Sequence, residues 1–365
     1  MNDSGEVKLM KGNEALAIAA IRYGCDGYFG YPITPQSEVL ETLEAEMPWE
    51  TTGMVVLQAE SEPASINMVY AGAACGKAVF TSSSSPGVSL MQEGFSFIAA
   101  GNLPALVVNV QRGGPGLGSI QPSQADYFQA TKGGGHGDYH FIVLSPASVQ
   151  EMADFVALGW DLAFKYRNPA LILADGFVGQ MMEKVVIPPQ RPRRTDAEIL
   201  EQCPWAIQGR SGRAKNSIIS TLELDSALLE INNQKLQEKY DLIRKNEQRA
   251  ELINTDDADY IIVAIGSTAR VSRKAIELAT EQGIKVGLVR PITLWPFPED
   301  AVKQATANCK GVLVVEMNSG QMIEDVKLSA QRTDIPILHF GRMGGMNSTP
   351  EDVLHALKDL LVNKQ

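Results

Sequence analysis

The chain has 365 residues, 44% of them hydrophobic and 21% charged, with a formal net charge of -11. At about 150 residues per domain this length suggests two domains, and the composition excludes an intrinsically disordered chain. The acidic balance argues against nucleic-acid and anionic-membrane partners, which need a basic footprint.

The first twenty residues carry early acidic groups and no apolar run long enough for a secretory signal or a membrane span, so a cytoplasmic protein is expected. From Leu16 to about Ile187, short apolar runs alternate with helix-period segments. Gly27 to Tyr31 reads as a strand entering Pro32-Ile-Thr-Pro35. Thr34 is then placed as a helix N-cap and Pro35 as the first helical residue, followed by Val39, Leu40, Leu43 and Met47 at helical spacing. Met54 to Leu57 reads as a buried strand with Glu60 at its end, before a helix through Ala64, Met68, Ala71 and Cys75. Ala78 to Thr81 is a strand, Ser82 to Gly87 a loop, and Leu90, Phe95 and Ile98 mark the next helix. Ala105 to Val110 is a strand opening onto Gln111-Arg-Gly-Gly-Pro-Gly116. Ile142 to Leu144 and Ala170 to Ala174 are two more, with a helix through Val149, Met152, Phe155 and Leu158 between them.

Such repetition marks a parallel sheet covered on both faces, with ligands beyond the carboxyl ends of its strands. Pro188 to Arg194 is a linker by composition. A surface helix is read from about Thr221 to Leu252, with Leu222, Leu229, Leu236 and Ile243 seven apart and Tyr240 beside them. From Asp259 the rhythm restarts: strands Ile261–Ile265, Lys285–Val289 and Gly311–Val315, a helix from Val271 to Thr280, and a last helix from Pro350 to Val362. The expected architecture is α/β, a larger parallel-sheet domain at 8–188, linker and long helix at 189–257, and a smaller α/β domain at 258–362.

Four cysteines, Cys25, Cys75, Cys203 and Cys309, stand far apart with no CxxC pair. That rules out a self-contained iron–sulfur cluster or zinc knuckle and argues against a disulfide framework. Glu60 lies where a strand meets a helix start; the bland alternative, helix N-terminal charge stabilisation, suits Glu62 better. Arg112 ends a strand before two glycines that let a ligand approach, the arrangement of a carboxylate clamp, against the alternative of an ordinary snorkelling arginine. The Tyr31-Pro32-Ile33-Thr34-Pro35 loop is stiffened by its prolines and can hold the Thr34 hydroxyl or the Ile33 side chain against a ligand, although a mere helix start also explains it. Ser82 to Ser85 lacks the lysine of a nucleoside-triphosphate loop, and neither a GxGxxG fingerprint nor a GxSxG elbow is present. Of four histidines, His136 within Gly133-Gly-Gly-His-Gly137 stands in a candidate functional loop, and His355 reads as solvent-facing.

Met10 to Ala17, Tyr31 to Pro35, Leu57 to Glu60, Phe80 to Gly87, Gln111 to Pro115 and Val315 to Gln321 together resemble the alpha subunit of the 2-oxoacid:ferredoxin oxidoreductases, over nearly the whole chain. The resemblance implies a pyrimidine-binding domain of the thiamine-diphosphate type followed by a transketolase C-terminal-like domain. It assigns to Glu60 the carboxyl that hydrogen-bonds ring nitrogen N1′ of thiamine diphosphate, in an apolar site that raises its pKa. To Arg112 it assigns the substrate carboxylate clamp and to Thr34 a hydrogen bond to the 2-oxoacid, while Pro32 and Ile33 are expected to line the cofactor. The implied reaction is oxidative decarboxylation with coenzyme A, electrons passing singly to iron–sulfur clusters and on to ferredoxin.

Ala174-Asp-Gly176 only partly echoes the family's diphosphate and Mg2+ motif, and Asn232-Asn233 is too distant to complete it. A beta subunit is therefore expected to hold the diphosphate and Mg2+, with a gamma subunit and a small ferredoxin-like subunit carrying clusters. The run Gly116 to Asp138 looks most like the branched-chain type acting on 3-methyl-2-oxobutanoate. The 2-oxoglutarate type comes next; it would want a second cation, for which Lys132 is the nearest candidate. A noncatalytic scaffold subunit and a transketolase-like transferase without a redox partner are the readings from other classes.

Overall fold

The computed structural model describes residues 6–210 and 215–362; the first five residues of the N-terminal stretch read above lie outside it. The N-terminal half contributes strands β1 (Val7–Lys11), β2 (Gly27–Gly30), β3 (Val55–Gln58), β4 (Val79–Ser83), β5 (Leu106–Gln111), β6 (Ile142–Leu144), β7 (Ala170–Asp175) and β8 (Met182–Val186). Strands β2 to β7 pair in parallel in the order β6-β7-β5-β4-β2-β3. The central strands β4, β5 and β7 are buried along their whole length, as runs such as Leu106-Val-Val and Ala170-Leu-Ile-Leu-Ala174 require. Helices Gly12–Tyr23 and Val149–Tyr166 pack on each other on one side, and Glu62–Ala74 and Gln92–Ala100 form a second group.

Several local expectations are corrected. β3 is not buried: it is the edge strand, with Val55 49% and Leu57 39% exposed, so its apolar residues point where no neighbouring element of this chain covers them. The helix after β2 is Ser37–Glu46 and its N-cap is Gln36, because Thr34 and Pro35 form a turn that delays the helical register. Ser82 and Ser83 belong to β4, and Ser85 opens the short helix Ser85–Leu90.

The proline-rich stretch after β8 is a strap held along the first unit. Arg193 pairs with the buried carboxylate of Asp26 at 3.0 Å, while Arg191 lies over Tyr23 and Arg194 over Phe164. Its basic residues find aromatic faces and one buried acid, which composition alone does not reveal. Just before it, β8 forms an antiparallel ribbon with β1, Val7 opposite Val186.

The second unit adds β9 (Ala250–Ile253), β10 (Tyr260–Ala264), β11 (Val286–Pro291), β12 (Thr293–Trp295), β13 (Gly311–Glu316) and β14 (Ile337–Gly341). Its sheet runs β14-β13-β10-β11-β9, parallel except for β9. β12 leaves that sheet and pairs antiparallel with β6, so the first sheet is mixed and seven-stranded. The helix Ser226–Asn246 buries Leu236, Tyr240 and Ile243, while Leu229 is half exposed and Leu222 precedes it. Only its second half packs on a neighbour. Tyr240 and His140 close around Trp295, the His140 ring stacked on the indole with centroids 4.5 Å apart. No helix of the described residues is long and apolar enough to cross a membrane.

Candidate active site

Beyond the C-terminal ends of β2, β4 and β5, chain segments of different origin converge. Arg112 follows β5 directly and is 7% exposed. Its Nη1 donates to the Thr34 carbonyl and its Nη2 to the Leu117 carbonyl, each at 3.0 Å. No carboxylate pairs with it among the described residues, and its Nε is buried without an acceptor. A guanidinium so placed is an uncompensated buried cation, and desolvation makes an incoming anion the group that relieves it. The snorkelling alternative fails, because the side chain turns inward.

The backbone of Arg112 is fixed from below. Its amide donates to Ser85 Oγ at 3.1 Å, and Ser85 Oγ donates to Asp126 Oδ2 at 2.6 Å, which also accepts from Asn109 Nδ2 at 2.9 Å. Burial pushes the Asp126 carboxyl above its ordinary pKa, against the pull of the Ser85 and Asn109 hydrogen bonds. Ser83 Oγ, Ser84 Oγ and Asn109 Oδ1 are buried without partners among the described residues, giving a polar floor at the ends of β4 and β5. Gly113 is needed where the loop meets the second unit: a Cβ there would stand 2.9 Å from the Gly344 carbonyl carbon.

The Tyr31–Pro35 loop crosses the end of β4 to reach Arg112. Gln36, fully buried, takes the Ser82 hydroxyl at 2.6 Å and returns a hydrogen bond to the Tyr31 carbonyl at 3.2 Å. Thr34 meets Arg112 through its carbonyl; its side chain, like that of Pro32, is exposed, and Ile33 is partly buried. On the other flank, the Ala59 amide continues the β2–β3 ladder to the Gly30 carbonyl at 2.8 Å, which leaves Glu60 beside the same loop. Glu60 is exposed, not enclosed in an apolar site as expected, because β3 is an edge. Three strand spacings separate β3 from β5, roughly 14 Å, so Glu60 and Arg112 flank the site and the proline loop links them.

Other sequence candidates fall elsewhere. Lys132 is bound to Asp325 of the second unit at 2.5 Å, so its charge is already compensated. Asp175, the acid of the partial Ala-Asp-Gly echo, caps the short helix Gly176–Gln180 through the Val178 amide at 3.1 Å. It also accepts from the Ser267 amide at 2.8 Å, the Ser267 hydroxyl and the Gln124 side chain, joining the two units. His136 is exposed in its glycine loop, its carbonyl held by Ser96, and His355 faces solvent as expected.

Gln36, Asn109, Gln124 and Asp126 carry no signal of these roles in the sequence, and Ser85 stands there only as part of a hydroxyl-rich loop. Each acts through a partner far along the chain, and no local spacing signals that. Gln124 also donates to the Ile265 carbonyl, and Asn318 donates to the Gln124 carbonyl at 2.8 Å. The second unit thereby fixes the segment that carries Asp126 under Arg112.

Residues 18–211 match the family model described as "Pyruvate flavodoxin/ferredoxin oxidoreductase, thiamine diP-bdg", and residues 258–353 match "Pyruvate:ferredoxin oxidoreductase core domain II". The chain is 47% identical over 357 residues to the ketoisovalerate oxidoreductase subunit VorB of Methanothermobacter thermautotrophicus, covering 97% of each. It is 34% identical to the 2-oxoglutarate synthase subunit KorA of Methanocaldococcus jannaschii, over 96% of this chain and 99% of that one. Among solved structures, the 2-oxoglutarate:ferredoxin oxidoreductase from Magnetococcus marinus with 2-oxoglutarate, coenzyme A and succinyl-CoA bound superposes with a TM-score of 0.84 at 30% identity. The match covers 98% of this chain and 66% of that longer one. An inactive split-gene transketolase tetramer, 14% identical with a TM-score of 0.60, shares the fold.

Proposed function

The chain belongs to the thiamine-diphosphate-dependent 2-oxoacid:ferredoxin oxidoreductases, and from that membership we propose that it is the alpha subunit of a cytoplasmic complex acting on 3-methyl-2-oxobutanoate. The complex converts this oxoacid and coenzyme A to an acyl-CoA and CO2, the two electrons passing singly to ferredoxin. The observation that carries the reading is Arg112, a buried guanidinium with no carboxylate partner among the described residues, at the C-terminal end of a parallel strand.

The residues present fit one half of the cofactor. Glu60 offers a free carboxyl beside the proline loop, and the orphaned Ser83 and Ser84 hydroxyls offer donors and acceptors to a polar heterocycle. When bound, thiamine diphosphate supplies the nucleophilic carbon and the electron sink for decarboxylation. Glu60 holds a proton at the ring nitrogen N1′, a role that strengthens once a partner covers the edge and excludes water. Pro32 and Ile33 pack against the ring. Arg112 clamps the substrate carboxylate and the Thr34 hydroxyl orients the oxo group, fixing the scissile bond before reaction.

The diphosphate and Mg2+ are assigned to a beta subunit, since Asp175 is already committed to joining the two units. A gamma subunit and a small ferredoxin-like subunit with the clusters complete the assembly. The relatives' designation as subunits supports this, as do the exposed apolar side chains of Leu117 and Ile120, on the loop near Arg112, and of Met343 and Met346, on the segment that meets Gly113. Lys132, neutralised by Asp325, does not offer the second cation that a distal substrate carboxylate would want, which favours a branched apolar substrate.

The test is CoA-dependent viologen reduction by the co-expressed complex with 3-methyl-2-oxobutanoate, pyruvate and 2-oxoglutarate. The highest kcat/KM is expected for the branched oxoacid. Preference for 2-oxoglutarate would overturn the substrate assignment, and ketol transfer without an electron acceptor would overturn the reaction.

A further inference from the structure

At the opposite end of the first sheet, where its strands begin, lies a cavity of about 590 Å³ between the helix Ser226–Asn246, the segment before it and the turns that precede β5 and β7. Asn102, before β5, and Arg167, before β7, contribute to its wall, and Lys239 enters from the long helix. Both Asn102 and Arg167 adopt the left-handed backbone conformation, with φ of 51° and 47°. Asn102 anchors both cations: its carbonyl accepts from Arg167 Nε at 3.2 Å and its side-chain oxygen from Lys239 Nζ at 2.8 Å. Lys239 also donates to the Arg167 carbonyl at 3.2 Å, which leaves one ammonium donor without a protein acceptor.

No carboxylate pairs with Arg167, Lys235 or Lys239 among the described residues. The acid on the lining, Glu223, accepts from the Asp225 amide. In a chain of net charge -11, three lysine and arginine side chains on one cavity without a paired acid is a local inversion of charge. Burial, with the nearby Arg167 charge, pulls the Lys239 ammonium down to about 7, and the Tyr240 ring lies 5.3 Å from it. The lining also offers apolar side chains, Leu222 and Leu229 among them.

We propose that this cavity binds a small phosphomonoester, its phosphate on Arg167 and Lys239 and its organic body against Leu222 and Leu229. Arg167 and, once an anion holds its proton, Lys239 together ask for about two negative charges, which a phosphomonoester carries near neutral pH and a carboxylate does not. The volume suits a small organic ligand. The site is separate from the candidate active site, because Asn102 and Arg167 precede the strands whose far ends carry Arg112 and Asp175. The six residues of β5 span roughly 20 Å. Its occupant is therefore an effector that ties the long helix to the first unit.

Phenyl phosphate and inorganic phosphate, titrated by calorimetry into the full chain, test this. We expect one saturable site, phenyl phosphate the tighter ligand, and at least a tenfold loss in Lys239→Gln. For phenyl phosphate, which stays largely dianionic between about pH 7 and 8.5, affinity should fall as Lys239 loses its proton, and Lys239→Arg should lessen that dependence. Absence of saturable binding to the wild-type chain, or equal affinity in a folded Lys239→Gln variant, would overturn the proposal. Saturable binding to the wild-type chain decides the matter even where a variant fails to fold.

Discussion

The Arg112 guanidinium is hydrogen-bonded to the Thr34 carbonyl at 3.0 Å, a contact between residues 78 positions apart that sets the proline loop over the end of β5. The second nitrogen of the same fork holds the Leu117 carbonyl. One side chain therefore fixes two loops and still presents an unsatisfied Nε. Arg112→Lys keeps the charge but not the planar fork. In the assembled complex this substitution should raise KM for the 2-oxoacid by about 10- to 100-fold, as expected for loss of charge-assisted bonds of roughly 1.5–3 kcal/mol. Steady-state kinetics at saturating coenzyme A checks it.

Glu60 is exposed and joins no ion pair among the described residues, so Glu60→Gln should leave the melting curve of the isolated chain unchanged within about 0.5 kcal/mol. The same substitution should lower kcat of the complex at least about 100-fold, the scale of a positioned acid–base group. A parallel loss of stability would show that Glu60 serves the fold.

His140 is held neutral well below its ordinary value, at about 4, by burial and by the Arg244 charge. Its folded pKa lies below the unfolded value near 6.5, so its stabilising contribution is full above pH 6.5 and is lost as pH falls toward 4. The upper limit of that loss is about 3 kcal/mol. His140→Phe retains the ring against Trp295 and should remove this part of the acid sensitivity. Urea unfolding at pH 7 and pH 4.5 measures it.

Asp175 satisfies backbone amides at the starts of two helices, one in each unit. Asp175→Ala leaves the Ser267 and Val178 amides buried without acceptors and should cost about 2–4 kcal/mol. Urea denaturation followed by tryptophan fluorescence should show the lower midpoint. An unchanged midpoint would mean that the two units are held chiefly by other contacts.

The continuous apolar strands β5, β7, β10 and β13 were legible because burial on both faces leaves an unbroken run of Val, Leu and Ile. The same rule misread β3, since Val55-Val-Leu57 has the composition of a buried strand and lies at an edge. β1 and β8 escaped notice because their pairing joins Val7 to Val186, and β12 because its partner is in the other unit. In the site, the place of Arg112 between a strand and two glycines also fits an ordinary surface arginine, and its burial emerges only with the fold. Glu60 depended on the motif around it. Asp126 and Gln36 were invisible, because their roles exist only through Ser85 and Ser82, which folding brings from elsewhere.

The open side of β3 has a consequence for the life of the chain before assembly. An edge strand with unpaired backbone groups, carrying exposed Val55 and Leu57, is a template for indiscriminate strand addition. Chains synthesised in excess of whatever covers that edge are exposed to concentration-dependent aggregation. Val55→Lys should lower that tendency in the isolated chain, read as a loss of concentration-dependent light scattering.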